Sequence, residues 1–368
     1  MKFYCDRKRM LEAVSNAVLI TKKNKHESPV VSNVMIDIME GDCRILSTNF
    51  EETLRESIPI DGTDCSLPRI LVPADKLKKV LSKGKTDMVK IETNEQCWFN
   101  ITMGKVKTKL PGVDYQSFPE IPVKTLPKRF TLAGKDLKDI FDKTYFSIGE
   151  NESRKNLTGL NIKQVDQSIM FEGADAFRIT RYFLPLAEDF EENAILPKQS
   201  FKTINTLFKN ADCDIHFDRT HLIACNDEIS FQCSLIDAEY PVLDKLFTYS
   251  SKECQVVPSD LIDGLDMMQV LTNNDTVAIC KTSIKPDGIN IESQKTEMSD
   301  GAVEIDCRYD SEPKTVGLNV KFFADVAKVF KKYDSMNIYC DGPELPVVFD
   351  CNDCPGFISV LMPVRVQW

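Results

Sequence analysis

The strongest constraint in this chain is a threefold internal repeat of whole-domain length. Three segments share one pattern, a short apolar strand, a capping turn and an amphipathic helix: ILVPADKLKKVLSKGK (70–85), AILPKQSFKTINTLFKN (194–210) and TVGLNVKFFADVAKVFKK (315–332). Aligning Pro73, Pro197 and Asn319 sets the copies 124 and 122 residues apart, far beyond a solenoid period. An earlier helix opens each copy, in DRKRMLEAVSNAVLI (6–20), AGKDLKDIFDKTYFSI (133–148) and VPSDLIDGLDMMQVLT (257–272). In the first, Met10, Leu11, Val14 and Val18 form the stripe of a helix with one buried face. Strand-like runs with turn residues between them follow, and each copy closes alike, in KLPGVDYQSFP (109–119), SLIDAEYPVLDKLF (234–247) and VLMPVRV (360–366). The repeat predicts an α+β fold of three domains, 1–125, 126–250 and 251–368, each with two helices packed on antiparallel sheets.

Several classes fall away on composition. With 42% hydrophobic residues the chain can fill sizeable cores, and no stretch approaches the ~20 apolar residues of a membrane span. The start, MKFYCDRKRMLEAV, carries charges where a secretory signal needs an apolar run, so a cytoplasmic location without membrane partners is expected. Thirteen irregularly spaced cysteines read as reduced thiols. Cys351 and Cys354 have metal-ligand spacing but no second pair, so neither a metal nor a cofactor is expected. Three histidines, His26, His216 and His221, without a nucleophile partner, and no phosphate-loop motif, argue against an enzyme.

The net charge of −10 is unevenly spread: +3 over residues 1–125, −5 over 126–250 and −8 over 251–368. On the second helix of each copy, lysines oppose the apolar stripe: Lys76, Lys79 and Lys83 against Leu77, Val80 and Leu81; Lys202 and Lys209 against Phe201, Ile204 and Phe208; Lys321, Lys328, Lys331 and Lys332 against Phe322, Val326, Val329 and Phe330. The loop after the first helix adds Lys22, Lys23 and Lys25. An acidic protein with one repeated lysine face can meet a polyanion there only, and lysines contact phosphates without reading bases. Duplex backbone is therefore the expected ligand, bound without sequence preference. A sequence-specific regulator is the rival reading, and it would show Arg, Asn or Gln aimed at base edges.

The sequence resembles the bacterial replicative sliding clamps, the beta subunits of DNA polymerase III. The likeness rests on MKF at the start, ILSTNFEETLRE (45–56), LPGVDYQSFPEIP (110–122), ESRKNLTGLNI (152–162), ADAFRIT (174–180), SLIDAEYPVLDKL (234–246) and the closing VLMPVRV, in order along the whole chain. The resemblance implies a non-catalytic processivity factor: a head-to-tail homodimer forming a six-domain ring around duplex DNA, with the lysine faces lining the hole. It implies a clamp loader that opens the ring, and partners, the polymerase alpha subunit and other clamp-binding-motif proteins among them, that dock short apolar peptides in a groove. Matching positions for that groove are Leu157, Arg178, Ile179, Pro241, Lys245, Leu246, Val360, Met362, Pro363, Val364, Arg365 and Val366.

Two departures from the family pattern carry expectations of their own. Ala174-Asp-Ala-Phe-Arg-Ile179 stands where the family usually has Thr-Asp-Gly-His-Arg-Leu, and Gln367 and Trp368 extend past the usual end, so a divergent or phage-type clamp with altered partner preference is the alternative within the family. At the expected dimer contact, GKVKTKL (104–110) sets Lys105, Lys107 and Lys109 on one side of a strand. The acidic third copy offers Glu292, Glu297, Asp300 and Glu304 with apolar Val270 and Leu271. Charge complementarity is expected to carry much of that contact.

Overall fold

One order of elements recurs three times: a strand, a helix, three or more strands, a second helix and three closing strands. The computed structural model describes residues 2–23, 28–64, 68–94, 96–122, 124–185, 189–250, 252–272, 278–293 and 301–365. The helices are α1 (Arg7–Thr21), α2 (Ala74–Lys83), α3 (Gly134–Thr144), α4 (Lys198–Phe208), α5 (Pro258–Leu271) and α6 (Val320–Val329). Local chemistry sets their starts. The Asp6 carboxylate accepts from the Arg9 amide at 2.8 Å, Asn319 accepts from the amides of Lys321 and Phe322, and Pro258 takes the first helical position of α5. The buried stripe of α1 is Met10, Ala13, Val14, Ala17 and Val18, and the expected Leu11 is only half-buried. Two alanines on the inner face turn the helix on its axis relative to a stripe drawn through the large side chains alone.

The chain packs into two compact units, one of residues 1–137 and 202–235, the other of 138–201 and 236–368. The first holds a five-stranded sheet in the order Asp61–Asp64, Lys2–Asp6, Met88–Thr93, Trp98–Met103, Val106–Pro111. Its second sheet has eight strands, Lys128–Leu132, Cys213–Phe217, His221–Cys225, Ile229–Ser234, Glu52–Pro59, Asp42–Thr48, Asn33–Ile38 and Arg69–Pro73. The second unit holds a nine-stranded sheet, Ala194–Pro197, Gly159–Val165, Ser168–Ala174, Arg178–Pro185, Phe357–Leu361, Val347–Asp350, Met336–Cys340, Cys254–Val256 and Cys307–Arg308. It also holds a four-stranded sheet, Ala302–Ile305, Gly288–Ser293, Ile279–Lys285, Lys314–Asn319. The fold is α+β, with antiparallel pairing throughout these sheets.

The two larger sheets are fusions. Ile229–Ser234, from the middle repeat, pairs with Glu52–Pro59, from the first, with Phe231 opposite Leu54. Arg178–Pro185 pairs with Phe357–Leu361 of the last repeat, with Ile179 opposite Val360. The boundary between these two units runs through α3 and α4, and the division into three domains at residues 125 and 250 stands as a proposal. In the second unit, the core gathers Phe323, Phe330, Phe349 and Phe357. Cys351 and Cys354 are buried in that core, joined by a turn in which the Cys354 amide donates to the Cys351 carbonyl at 2.9 Å. The described cysteines are free, and burial pushes the Cys280 and Cys340 thiols up to about 11. Among the described residues, no helix is long and apolar enough to cross a membrane.

Candidate peptide groove and nucleic-acid face

The closing strand Phe357–Leu361 lies against Arg178–Pro185, and this pairing assembles one apolar patch in the second unit. Buried Ala174, Ile179, Tyr339, Val348 and Val360 form its floor, with half-buried Leu157, Leu246 and Met362 packed on them. Five of the positions expected for a groove, Leu157, Ile179, Leu246, Val360 and Met362, are therefore brought together. Strand pairing and alternation place Ile179 and Val360 on one face. Past the strand, the Met362 amide donates to the Phe177 carbonyl at 2.8 Å and the Val364 amide to the Gly317 carbonyl at 2.9 Å. Pro241, Pro363 and Val364 are half-buried, while Lys245 and Arg365 are exposed, and Arg365 pairs with Glu344 at 3.2 Å. Val366, Gln367 and Trp368 lie outside the described residues.

Arg178 has a built environment. Its guanidinium binds Asp175 at 3.0 Å and Asp325 at 2.6 Å and lies over the Phe322 ring at 4.3 Å, so it serves as a fixed strut. Asp175 also accepts from the amides of Phe177 and Arg178, which locks the turn before the strand. Beside it opens a cavity of about 480 Å³ whose lining includes Ile148, Arg154, Leu157, Phe177, Arg178 and Phe322. Phe177 is 55% exposed and its ring stacks at 5.9 Å on Phe322. This corrects the expected stripe of α6: Phe322 is half-buried and lines the cavity, leaving Phe323 for the core. The two rings stand 100° apart on the helix, and the buried face is centred on Phe323, Val326, Ala327 and Phe330, so a stripe drawn from Phe322 lies to one side of it. Sequence reasoning did not place Phe322, Asp325, Tyr339 or Val348 at the site; all four come from the last repeat, Tyr339 and Val348 on strands of the fused sheet and Phe322 and Asp325 on α6.

In the first unit, Lys22, Lys76, Lys79, Lys83, Lys202 and Lys209 are exposed, and Lys22 is 3.6 Å from Asp75. Lys23 departs from the expected set. Its ammonium turns inward to buried Glu52 at 2.9 Å and to the Thr203 hydroxyl at 2.6 Å. A buried carboxylate needs a counter-charge more than a solvent-facing site does, so Lys23 stays with Glu52. Lys25 lies outside the described residues. In the second unit, Lys321, Lys328, Lys331 and Lys332 are exposed, with Lys328 paired to Asp266 at 3.0 Å and Lys332 to Asp139 at 3.6 Å. The exposed face of α5 is acidic, with Asp260, Asp263 and Asp266, so α6 alone carries the basic character of the last repeat's helix pair.

The strand Val106–Pro111 ends the five-stranded sheet with its outer edge unpaired among the described residues. Lys105, Lys107 and Lys109 are exposed along it, and the Lys109 ammonium lies 4.4 Å above the Trp98 ring. Ala302–Ile305 ends the four-stranded sheet likewise, with Glu304 exposed. Val270 is 72% exposed and Leu271 half-buried, while Glu297 and Asp300 lie outside the described residues. The described histidines are occupied locally: His216 bonds to the Leu126 carbonyl at 3.1 Å and His221 to the Lys124 ammonium at 2.9 Å.

Comparison with known proteins agrees along the chain. The profile of the DNA polymerase III beta subunit, N-terminal domain, matches residues 1–122, and that of its central domain matches residues 131–242. The beta sliding clamp of Lactococcus lactis is 22% identical over 374 residues, covering 96% of this chain and 98% of that one. Among solved structures, the beta subunit of the DNA polymerase of Streptococcus pyogenes superposes with a TM-score of 0.92 at 21% identity, over 100% of both chains. The sliding clamp of Pseudomonas aeruginosa bound to griselimycin superposes with a TM-score of 0.92 at 19% identity, also over 100% of both chains.

Proposed function

Because the chain belongs to the DNA polymerase III beta-subunit family, the beta sliding clamps, we propose that it encircles duplex DNA as a head-to-tail homodimer and tethers the polymerase alpha subunit and other partners by a peptide groove. The family's role is that of a processivity factor rather than a catalyst. The single observation that carries the ring is the fate of the sheets. Two are fusions of half-sheets from successive repeats, whereas the five-stranded and four-stranded sheets remain as unfused halves, each with an open edge. A second copy offers each half its missing complement, by the same antiparallel edge pairing that joins the repeats inside one chain. Exposed lysines on α2, α4 and α6 supply non-specific backbone contacts, and topology does the holding. A clamp loader supplies the ring opening, and the cytoplasm is the expected location.

The groove is the patch around Ile179 and Val360, with apolar and methionine side chains suited to short peptides. The Phe177–Phe322 aromatic pair beside it supports a partner preference of this chain's own. The test of the ring is retention. After loading on nicked circular DNA the protein is expected to stay bound through gel filtration and to be lost when the circle is cut. Equal retention on circular and linear DNA would sink the proposal.

The open edges also set a prediction for the dimer. With Lys105, Lys107 and Lys109 on one edge and Glu304 on the other, a rise from low to high salt is expected to weaken dimerisation roughly tenfold in sedimentation velocity, because exposed charge pairs are screened. A salt-independent dimer would assign the contact to apolar residues instead.

A further inference from the structure

The wall of the groove formed by Pro241, Lys245 and Leu246 belongs to residues 236–250, through which no strand runs. It has one short turn, Asp244–Phe247, in which the Leu246 amide donates to the Leu243 carbonyl at 3.0 Å. Leu243, Leu246 and Phe247 pack on the apolar floor, and one buried cation adds a polar tie between this turn and the sheet. Arg181 is 8% exposed and sits directly opposite Glu172 in the strand pairing, so their side chains share a face with Ile179 two residues away. Its Nε donates to the carboxylate of Glu172, which is 1% exposed. Its outer nitrogen reaches the Asp244 carboxylate at 2.8 Å, and its plane lies 4.0 Å from the centre of the Phe247 ring. The flat guanidinium thus meets the buried acid, the acid of the turn and the aromatic ring of the turn at once, which an ammonium could not do.

We propose that Arg181 is a positioning residue for the partner groove, a latch that fixes the 243–247 turn through Asp244 and Phe247 and thereby sets how tightly the groove holds its peptide. This rests on the reading of the patch as the peptide groove. The latch has an inner arm and an outer arm. The inner arm, Arg181 with Glu172, is sealed from water and belongs to the fold. The outer arm ends on Asp244, whose side chain is 73% exposed, and among the described residues it is the ion pair that ties the wall to the sheet. Cutting the outer arm leaves the buried pair intact, which separates the proposal from simple unfolding.

The experiment compares full-length wild type with Asp244→Asn, Asp244→Glu and Phe247→Leu by hydrogen exchange and by calorimetric titration with griselimycin, the compound held by the Pseudomonas aeruginosa relative. In Asp244→Asn and Phe247→Leu the Leu246 amide is expected to exchange at least about tenfold faster while the amides of Arg178–Pro185 stay protected. Griselimycin affinity is expected to fall roughly fivefold, the upper scale of one lost ion pair with a solvent-exposed partner. The thermal midpoint is expected to be unchanged and Asp244→Glu to behave nearly as wild type. Unchanged protection of Leu246 in Asp244→Asn overturns the latch, and so does a loosened turn with undiminished affinity. If wild type takes up no griselimycin, the groove reading falls and with it the claim on affinity, while the exchange result still decides whether Asp244 holds the turn.

Discussion

Ending the chain at Leu361 is expected to abolish processive synthesis while leaving the fold in place. The segment removed follows the last residue of the strand Phe357–Leu361, so every sheet pairing of that strand survives. Among the described residues, two main-chain hydrogen bonds are lost, from Met362 to the Phe177 carbonyl and from Val364 to the Gly317 carbonyl, together with the exposed Arg365–Glu344 pair and the half-buried side chains of Met362, Pro363 and Val364. A surface loss of this size shifts the thermal midpoint by a few degrees at most. The functional loss is far larger, because a tether raises the local concentration of polymerase at the primer end, a gain of roughly 10²–10⁴ that disappears with the groove. The measurement is polymerase product length on primed circular DNA with the cognate loader. Full-length product from the truncated chain would show that partners dock elsewhere.

Phe323→Ala is expected to destabilise the second unit by about 3–5 kcal/mol, the usual cost of emptying a buried aromatic position. The ring is fully buried on α6 and meets Phe349 with centroids 5.5 Å apart, so little mobile surface is at hand to fill the void. The urea midpoint of the transition that exposes the second unit's core should fall accordingly, while Phe322→Ala, on the adjoining half-buried position, should cost much less and act on ligand binding. Equal costs for the two substitutions would contradict the division of labour between these rings.

These two phenylalanines also show where sequence reading reaches and where it stops. The repeat, the six helices and the apolar side of α2 and α4 were legible, because periodicity is a local property of the chain. The likeness to the sliding clamps picked out Leu157, Ile179, Leu246, Val360 and Met362, and one apolar cluster brings these five together. What was not legible depends on strands far apart in sequence. The pairing of Phe231 with Leu54, which fuses two repeats, leaves no mark in either strand. Lys23 looked like part of a basic loop until Glu52, on another strand, supplied a buried partner. Nothing in the sequence singles out Arg181, and only its neighbours Glu172 and Asp244 give it a role. The acidic face of α5 is a local pattern of the same kind, Asp260, Asp263 and Asp266 at a helical spacing of three.

The unfused half-sheets have a consequence for assembly that reaches past the dimer. In the proposed ring, a chain with two unlike free edges is a directional link, hook and eye. Such links join into closed rings or open fibres with equal ease as far as the edges are concerned, so the edges set the direction of assembly and not its count. The row of lysines beside Val106–Pro111 then has a second use: two hooks brought together repel, and only the correct polarity of assembly survives.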